Sequence, residues 1–493
     1  MLLRKDTRKI NWLMLAKVIG WLLMIESGFM AIPCAVSFAW GEQDGWIFAT
    51  FTMLTFFTGY VLNHFLRPER HTMGKREGFL LTALVWVVFS LFGMLPFLLC
   101  SHRIGAGDAF FEAMAGFTTT GCSVYADPEE LSHGVNLWRA LMQWIGGMGI
   151  ILFTLAVLPM LNSSGGMQMF NAEVTGITHD KIQPRISQTA KGLWLIYIII
   201  TLACALLLWL GPMSLFDAVC HALGTVSTGG FTTRAAGPAA WDSGYVDTVI
   251  TVFMFTGGTS FTLVFMAATG RFAAVKANAT FRYYASTVAV SIGIFAAVMA
   301  IKMGWGSTLR GVLIDPAFQI VATITSTGYV VQGLSGWAPV LLGLLLPMMV
   351  FGACAGSTSG GAKLDRMLVL TRYVRNSLKR TLQPNTITKV EIDGRVLTAD
   401  TVNQAISFLA LYAIVIIFAA GVLTLMGVGL SDSLFCSASC VSNAGISPDA
   451  FGGDLAISSL PVAGKMVLSL AMLTGRLEVF TILVLFMPGF WRK

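Results

Sequence analysis

FTTTGCS, Phe117 to Ser123, places four hydroxyl side chains and a glycine between apolar runs. The stretch is not isolated. FDAVCHALGTVSTGGFT begins at Phe216, IDPAFQIVATITSTGYV at Ile314 and SDSLFCSASCVSNAGIS at Ser431. Asp108, Asp217, Asp315 and Asp432 each lie 13 residues before Gly121, Gly230, Gly328 and Gly445. In the second insert, Gly230 rather than Gly229 keeps that spacing and precedes an aromatic residue, as Gly328 does. A fixed spacing met four times, each time between two apolar runs, is an internal repeat.

The surroundings define the solvent. Hydrophobic residues make up 55% of the chain and charged ones 12%, about half the charged share of a soluble domain. Many apolar runs reach the roughly 20 residues that cross a bilayer. The reading is an all-α polytopic membrane protein with two N-terminal spans followed by four span–pore loop–span repeats around one central pathway. The spans are expected near 11–39 and 45–66, then 77–100 and 137–161, 192–211 and 245–269, 284–303 and 337–370, and 404–428 and 464–489. The corresponding division is 1–70, 71–180, 181–275, 276–395 and 396–493. The first run is too long for a cleaved signal. The eight scattered cysteines form neither a disulfide framework nor a zinc pattern.

The net charge of +7 is explained by position, not by nucleic acid. Arg4, Lys5, Arg8 and Lys9 precede the first span, and Arg67, Arg70, Lys75 and Arg76 follow the second. Arg366, Arg372, Arg375, Lys379 and Arg380 form a third cluster, and Arg492 and Lys493 end the sequence. The positive-inside rule puts both termini in the cytoplasm.

Each insert is too short to cross. Aspartate is a good N-cap and Pro316 suits a first helical turn, so each insert is expected to start as a short helix capped by its aspartate. Its C-terminal end, carrying about half a negative charge, then points to the membrane middle and favours a cation. Irregular backbone at that depth is tolerated when buried or lining a watery path. Four such loops around an axis would offer rings of carbonyl oxygens to a monovalent cation. Small residues that merely pack helices would look similar at any single insert, and four in register argue against that. No acidic residue falls in the glycine loops, which suits K⁺ or Na⁺ better than Ca²⁺.

Two further features stand out. GACAGSTSGGAK, Gly352 to Lys363, interrupts an apolar run with residues that disfavour a continuous helix. Arg476 lies within the last apolar run, where an arginine is costly and usually faces a cavity or partner. Glu478, two residues on, points to another face of a helix. His102, His133 and His221 lack ligand spacing. Asp127, Glu129 and Glu130 read as a solvated loop, and Gly146, Gly147 and Gly149 as packing residues.

QWIGGMGI, RISQTAKGLWLIY, GSTSGGAK and GRLEVFTILVLFMPGFWR, together with the repeated inserts, are similar to the TrkH/TrkG branch of the Trk/Ktr/HKT superfamily of potassium transporters. The resemblance covers nearly the whole chain. It implies K⁺ uptake across the bacterial inner membrane and a filter at Thr119-Thr120-Gly121, Thr228-Gly229-Gly230, Ser326-Thr327-Gly328 and Asn443-Ala444-Gly445. Repeat four departs from the hydroxyl pattern. The resemblance also implies a gate formed by Arg476 and an intramembrane loop that includes Gly352, Gly356, Ser357, Thr358, Ser359, Gly360 and Gly361. It implies a homodimer and a cytosolic nucleotide-binding regulatory partner of the TrkA/KtrA type. Arg366 to Arg395 would serve as the docking surface for that partner or for anionic lipid. K⁺ is the transported ion; no organic cofactor, nucleic acid or enzymatic activity is expected. A Na⁺- or H⁺-coupled symporter and a weakly selective cation channel of the same architecture remain open. An intramembrane enzyme would need a catalytic constellation at depth, and a voltage-gated channel would need arginine-rich spans; neither is present in the sequence.

Overall fold

The computed structural model describes residues 10–68, 73–149, 186–303, 308–331, 333–386, 388–453 and 455–491. The later part of the span expected at 137–161 and the division at residue 180 lie outside them. So do Arg4, Lys5, Arg8, Lys9, Arg70, Arg492 and Lys493.

The described elements are helical, apart from one hairpin of two two-residue strands. They are α1 (Trp12–Ala39), α2 (Asp44–Phe65), α3 (Lys75–Gly93), α4 (Ala106–Phe117), α5 (His133–Gly147), α6 (Ile186–Trp209), α7 (Leu215–Val226), α8 (Gly244–Gly257) and α9 (Phe261–Ala268). The chain continues through α10 (Phe272–Ala277), α11 (Ala279–Met303), α12 (Asp315–Ile324), α13 (Pro339–Phe351) and α14 (Leu364–Leu382). It ends with the hairpin β1 (Glu391–Ile392) and β2 (Arg395–Val396), then α15 (Ala399–Leu425), α16 (Leu430–Val441), α17 (Val462–Arg476), α18 (Val479–Phe486) and α19 (Pro488–Trp491). Among the described residues, six helices are long and apolar enough to cross a membrane, or up to eight if each bent pair is one span. Trp46, Phe57, Leu202 and Phe418 are exposed apolar side chains, as suits a surface whose solvent is lipid.

α1 and α2 pack closely where Gly20 and Gly59 cross. A β-carbon on either would sit within 2.8 Å of the other's carbonyl oxygen, the close approach that small residues allow between membrane helices. The turn between them is tied to the rest of the chain. Asp44 accepts hydrogen bonds from Ser101 Oγ (2.7 Å) and Ser132 Oγ (2.6 Å), and Glu42 accepts from the His133 backbone N–H (2.7 Å).

Two of the sequence expectations need correction. First, the aspartates do not cap the short helices. Gly105, Ser214 and Gly429 occupy the caps, and Asp108, Asp217 and Asp432 are the third helical residues. Asp315 follows a π-helical turn, Arg310–Ile314. At the third position a carboxylate still lies beside the unpaired N–H groups of the first turn. Ser214 shows the resulting reciprocity: its hydroxyl accepts from Asp217 N (3.1 Å) and donates to Asp217 Oδ2 (2.8 Å). Second, a break was expected only in the 337–370 span. α8 and α9 meet at 108°, and α17 and α18 at 117°. Long apolar stretches flank both breaks, Gly258–Ser260 and Arg476–Glu478, so mean hydropathy over a span-length window does not register them.

Buried apolar residues form two main clusters. One joins α1, α3, α4 and α5 to α16 and α17. The other is built mainly from α6, α7, α8, α11, α12 and α13. The four short helices α4, α7, α12 and α16 lie at the junction of these halves.

Candidate functional site

Each short helix ends in the same irregular turn. Thr119, Thr228, Ser326 and Asn443 have φ of 55°, 53°, 54° and 51°. That left-handed conformation costs a non-glycine residue about 1–2 kcal/mol, and it recurs at one equivalent position in all four inserts. Two residues later, Gly121, Gly230, Gly328 and Gly445 have φ of 79°, 84°, 81° and 67°. Gly230, not Gly229, is the equivalent residue, as the spacing indicated.

The four turns touch in a closed cycle. A β-carbon on Gly121 would overlap the carbonyl oxygen of Gly229, and one on Gly230 that of Thr327. One on Gly328 would overlap that of Ala444, and one on Gly445 that of Thr120, which returns the cycle to its start. All twelve residues of the four expected tripeptides are therefore brought together.

Backbone amides of each turn point back into their own helix. Thr120 N donates to Ala115 O (2.9 Å), Gly229 N to Gly224 O (2.8 Å), Thr327 N to Ala322 O (2.9 Å) and Ala444 N to Ser439 O (2.9 Å). In a trans peptide the preceding carbonyl points the opposite way, so the carbonyls of Thr119, Thr228, Ser326 and Asn443 face away from the helices. Side-chain oxygens add to this oxygen-rich surface. Thr119 Oγ1 and Asn443 Oδ1 are buried without a hydrogen-bond partner among the described residues. Asn443 Nδ2 donates to Thr120 Oγ1 (2.9 Å) and to Met472 O (2.9 Å), so the residue that departs from the hydroxyl pattern stitches the first and fourth turns together.

Support for the ring comes from residues outside the expected site. Four residues after each aspartate lie Glu112, His221, Gln319 and Cys436, of which the first three are fully buried polar side chains. Glu112 accepts from Val124 N (2.8 Å) and pairs with buried Arg139 (2.8 Å). Gln319 accepts from Val331 N (3.0 Å), the equivalent amide. Gln143 holds the second turn, accepting from Phe231 N (3.0 Å) and donating to Gly229 O (2.6 Å). The repeated offset from the aspartate was the signal available. His221 is bonded to its own helix, with Nδ1 2.9 Å from Asp217 O.

On the helix C-terminal side of the ring, the ends of α5, α8 and α17 tuck under the turns. β-Carbons on Gly146 and Gly475 would overlap the carbonyls of Phe117 and Val441, and one on Gly257 would lie 3.0 Å from Val226 O. These glycines, taken from sequence as packing residues or not singled out, fix how closely each helix end approaches the ring. Their signal was a glycine in the middle of each apolar run.

The segment Gly352–Lys363 crosses this side as a non-helical loop with positive φ at Gly352, Gly356, Gly361 and Lys363. Thr358 Oγ1 donates to Val226 O (3.1 Å), Gly360 N donates to Ser326 Oγ (2.5 Å), and a β-carbon on Gly360 would overlap Ser442 O. Ser357 Oγ lies 2.9 Å from Ser359 Oγ. The loop thus abuts the second, third and fourth turns.

Arg476 completes the contact set. It is the last residue of α17, not a mid-helix residue, so its charge meets the negative end of that helix. Nη1 donates to Thr358 O (2.7 Å), and Nη2 donates to Gly146 O (2.6 Å) and Gly147 O (2.9 Å) at the end of α5. Glu478 instead pairs with buried Arg366 (2.5 Å), whose guanidinium lies over Phe408. Arg366 is therefore not part of an exposed basic surface, which corrects its place in the expected docking stretch. Glu129 and Glu130 are exposed as expected, with Glu129 3.5 Å from Arg234 and Glu130 3.7 Å from His102. No group of three or more His, Cys, Asp or Glu suited to a metal occurs among the described residues.

Comparison with known proteins agrees with this architecture. A family model described as TrkH, a cation transport protein, matches residues 45–281 and 309–493. The Trk system potassium uptake protein TrkH of Escherichia coli (strain K12) is 36% identical over 492 residues, covering 97% of this chain and 99% of that protein. TrkG of the same strain is 28% identical over 477 residues, covering 96% and 97%. The crystal structure of the potassium transporter TrkH from Vibrio parahaemolyticus superposes with a TM-score of 0.87 at 31% identity, covering 98% of this chain and 100% of that one. The protein is thus a multi-pass membrane transporter rather than an enzyme, and the chain belongs to the TrkH family of cation transport proteins.

Proposed function

We propose that this chain is the potassium-conducting subunit of a Trk-type uptake system. The observation that carries the reading is the closed cycle linking Gly121, Gly230, Gly328 and Gly445 to the carbonyls of the neighbouring turns. Thr119-Thr120-Gly121, Thr228-Gly229-Gly230, Ser326-Thr327-Gly328 and Asn443-Ala444-Gly445 then form the filter. Carbonyl and hydroxyl oxygens at that depth replace the hydration shell of K⁺ as it passes. The orphaned oxygens of Thr119 and Asn443 are the kind of group that a passing cation would satisfy.

Flux through this filter is limited by the loop of Gly352, Gly356, Ser357, Thr358, Ser359, Gly360 and Gly361, held by Arg476. A fixed positive charge bonded to the loop opposes cations electrostatically. The working division is an N-terminal pair (1–70) and repeats at 71–180, 181–275, 276–395 and 396–493. The protein works in the bacterial inner membrane with both termini cytoplasmic, as a homodimer that meets a cytosolic nucleotide-binding partner of the TrkA/KtrA type. Arg372, Arg375, Lys379 and Arg380 on α14 provide the basic docking face.

The test is cation flux into proteoliposomes, K⁺ against Na⁺, for the parent, Gly121→Ser and Arg476→Ala. The parent passes K⁺, Gly121→Ser loses flux or selectivity, and Arg476→Ala gains flux. A parent that moves no monovalent cation under these conditions would refute the reading.

A further inference from the structure

Three of the four seams of the ring show a second contact, one layer behind the glycines. A residue five before the glycine on one helix faces the residue just after the glycine of the next turn. At the first seam a β-carbon on Gly116 would lie 3.4 Å from the Phe231 ring. At the second, Thr225 Oγ1 lies 3.4 Å from Tyr329 Oη. At the seam that closes the cycle, between α16 and the first turn, the pair is Cys440 and Cys122, with sulfurs 3.8 Å apart. Both are buried thiols, at 0% and 1% exposure. The backbone nitrogen of Cys122 also lies 2.9 Å from where a β-carbon on Gly445 would stand, so this pair sits directly against the ring closure.

We propose that Cys122 and Cys440 form a reversible thiol-oxidation site that, when oxidised, clasps the first turn to α16 and lowers cation flux. The oxidant is a small peroxide, close to water in size. One thiol attacks a peroxide oxygen; the O–O bond breaks, and a sulfenic acid and one water form. The second thiol attacks that sulfur, the S–S bond forms and a second water leaves. Each sulfur gives up one electron and the peroxide takes two. A sulfenic acid with a thiol in contact resolves in this way rather than oxidising further. Closing the gap to the roughly 2.05 Å of a disulfide brings the two sulfurs more than an ångström closer and fixes the first turn against α16. The turn involved carries Thr119 and Thr120, so the clasp distorts one quarter of the ring. Burial makes these thiols slow to react; the site responds to sustained oxidant exposure.

The experiment uses the full-length protein in proteoliposomes, treated with hydrogen peroxide and then alkylated under denaturing conditions. Peptide mass spectrometry and K⁺ flux are measured on the same samples. The expected result is a Cys122–Cys440 linked peptide, removed by dithiothreitol, and a several-fold fall in flux that dithiothreitol restores. C122S and C440S, each close in size to the parent, should abolish both effects, and C436S should leave both intact. Absence of the linked peptide, a link from Cys122 to Cys436 instead, or a linked protein with unchanged flux would overturn the proposal. The cross-link is read independently of conduction, so its failure is distinguishable from failure of the filter reading, on which only the flux arm rests.

Discussion

Arg476 and Thr358 are joined by a 2.7 Å hydrogen bond from guanidinium to backbone carbonyl, while the other guanidinium nitrogen holds the end of α5. One side chain therefore ties the Gly352–Gly361 loop to two helix ends. Arg476→Ala should raise K⁺ flux several-fold, because it removes both the charge and the tether. Arg476→Lys should fall between parent and Ala, since an ammonium keeps the charge but lacks the planar fork that serves three carbonyls. Flux assays on purified, monodisperse protein would check this. Equal flux in all three proteins would show that the arginine does not limit conduction.

The ring glycines carry two constraints, left-handed φ and the absence of space. Gly270 carries only the first, with φ of 79° and nothing within 4 Å of a β-carbon. Gly270→Ala should cost about 1–2 kcal/mol and leave conduction intact. Gly328→Ala should add overpacking of about 1–3 kcal/mol and abolish or deregulate K⁺ flux. Apparent melting temperatures and flux for the two variants would separate strain from ring geometry.

Glu112 and Arg139 are a buried pair behind the first turn. Removing one partner leaves a buried charge, at a cost of about 3–5 kcal/mol. Glu112→Ala should sharply reduce the yield of folded protein. A double variant, Glu112→Leu with Arg139→Met, should recover thermal stability in part but not filter function, because Val124 N would still lose its acceptor. Size-exclusion profiles and melting curves would read the first effect and K⁺/Na⁺ flux ratios the second.

Asn443 tolerates the left-handed conformation better than alanine does, and its amide bridges Thr120 and Met472. Asn443→Ala should therefore lower the melting temperature and the K⁺/Na⁺ flux ratio together. A stable variant with unchanged selectivity would remove Asn443 from the filter.

The repeat was legible because it rests on covalent spacing. Thirteen residues from aspartate to glycine measure one short helix plus one turn, and the turn itself demands glycine. The tripeptides could therefore be placed by counting. The aspartate was misplaced by three positions in three of the inserts, since a carboxylate serves a helix start at the third position as well as at the cap. The breaks at Gly257–Ser260 and Arg476–Glu478 were illegible for a different reason. A few polar residues inside a long apolar run leave its mean hydropathy that of a straight span, and only the fold shows Gly257 and Gly475 packed against the carbonyls of Val226 and Val441 at the bends. Arg366 illustrates the same limit. In sequence it heads a basic run, and only the fold brings Glu478 to it.

The two apolar clusters give the molecule a parting line. α4, α5, α16 and α17 belong mainly to one side, and α7, α8, α12 and α13 to the other. Each side moves most cheaply as a rigid half-shell, because shifting within a close-packed core costs contacts that sliding along its border does not. Thr358 hangs from the second shell and Arg476 from the first. A torque that pries the shells apart is therefore borne by the few bonds that cross this line, that of Arg476 to Thr358 and those of Gln143 to the second turn among them, rather than by either core.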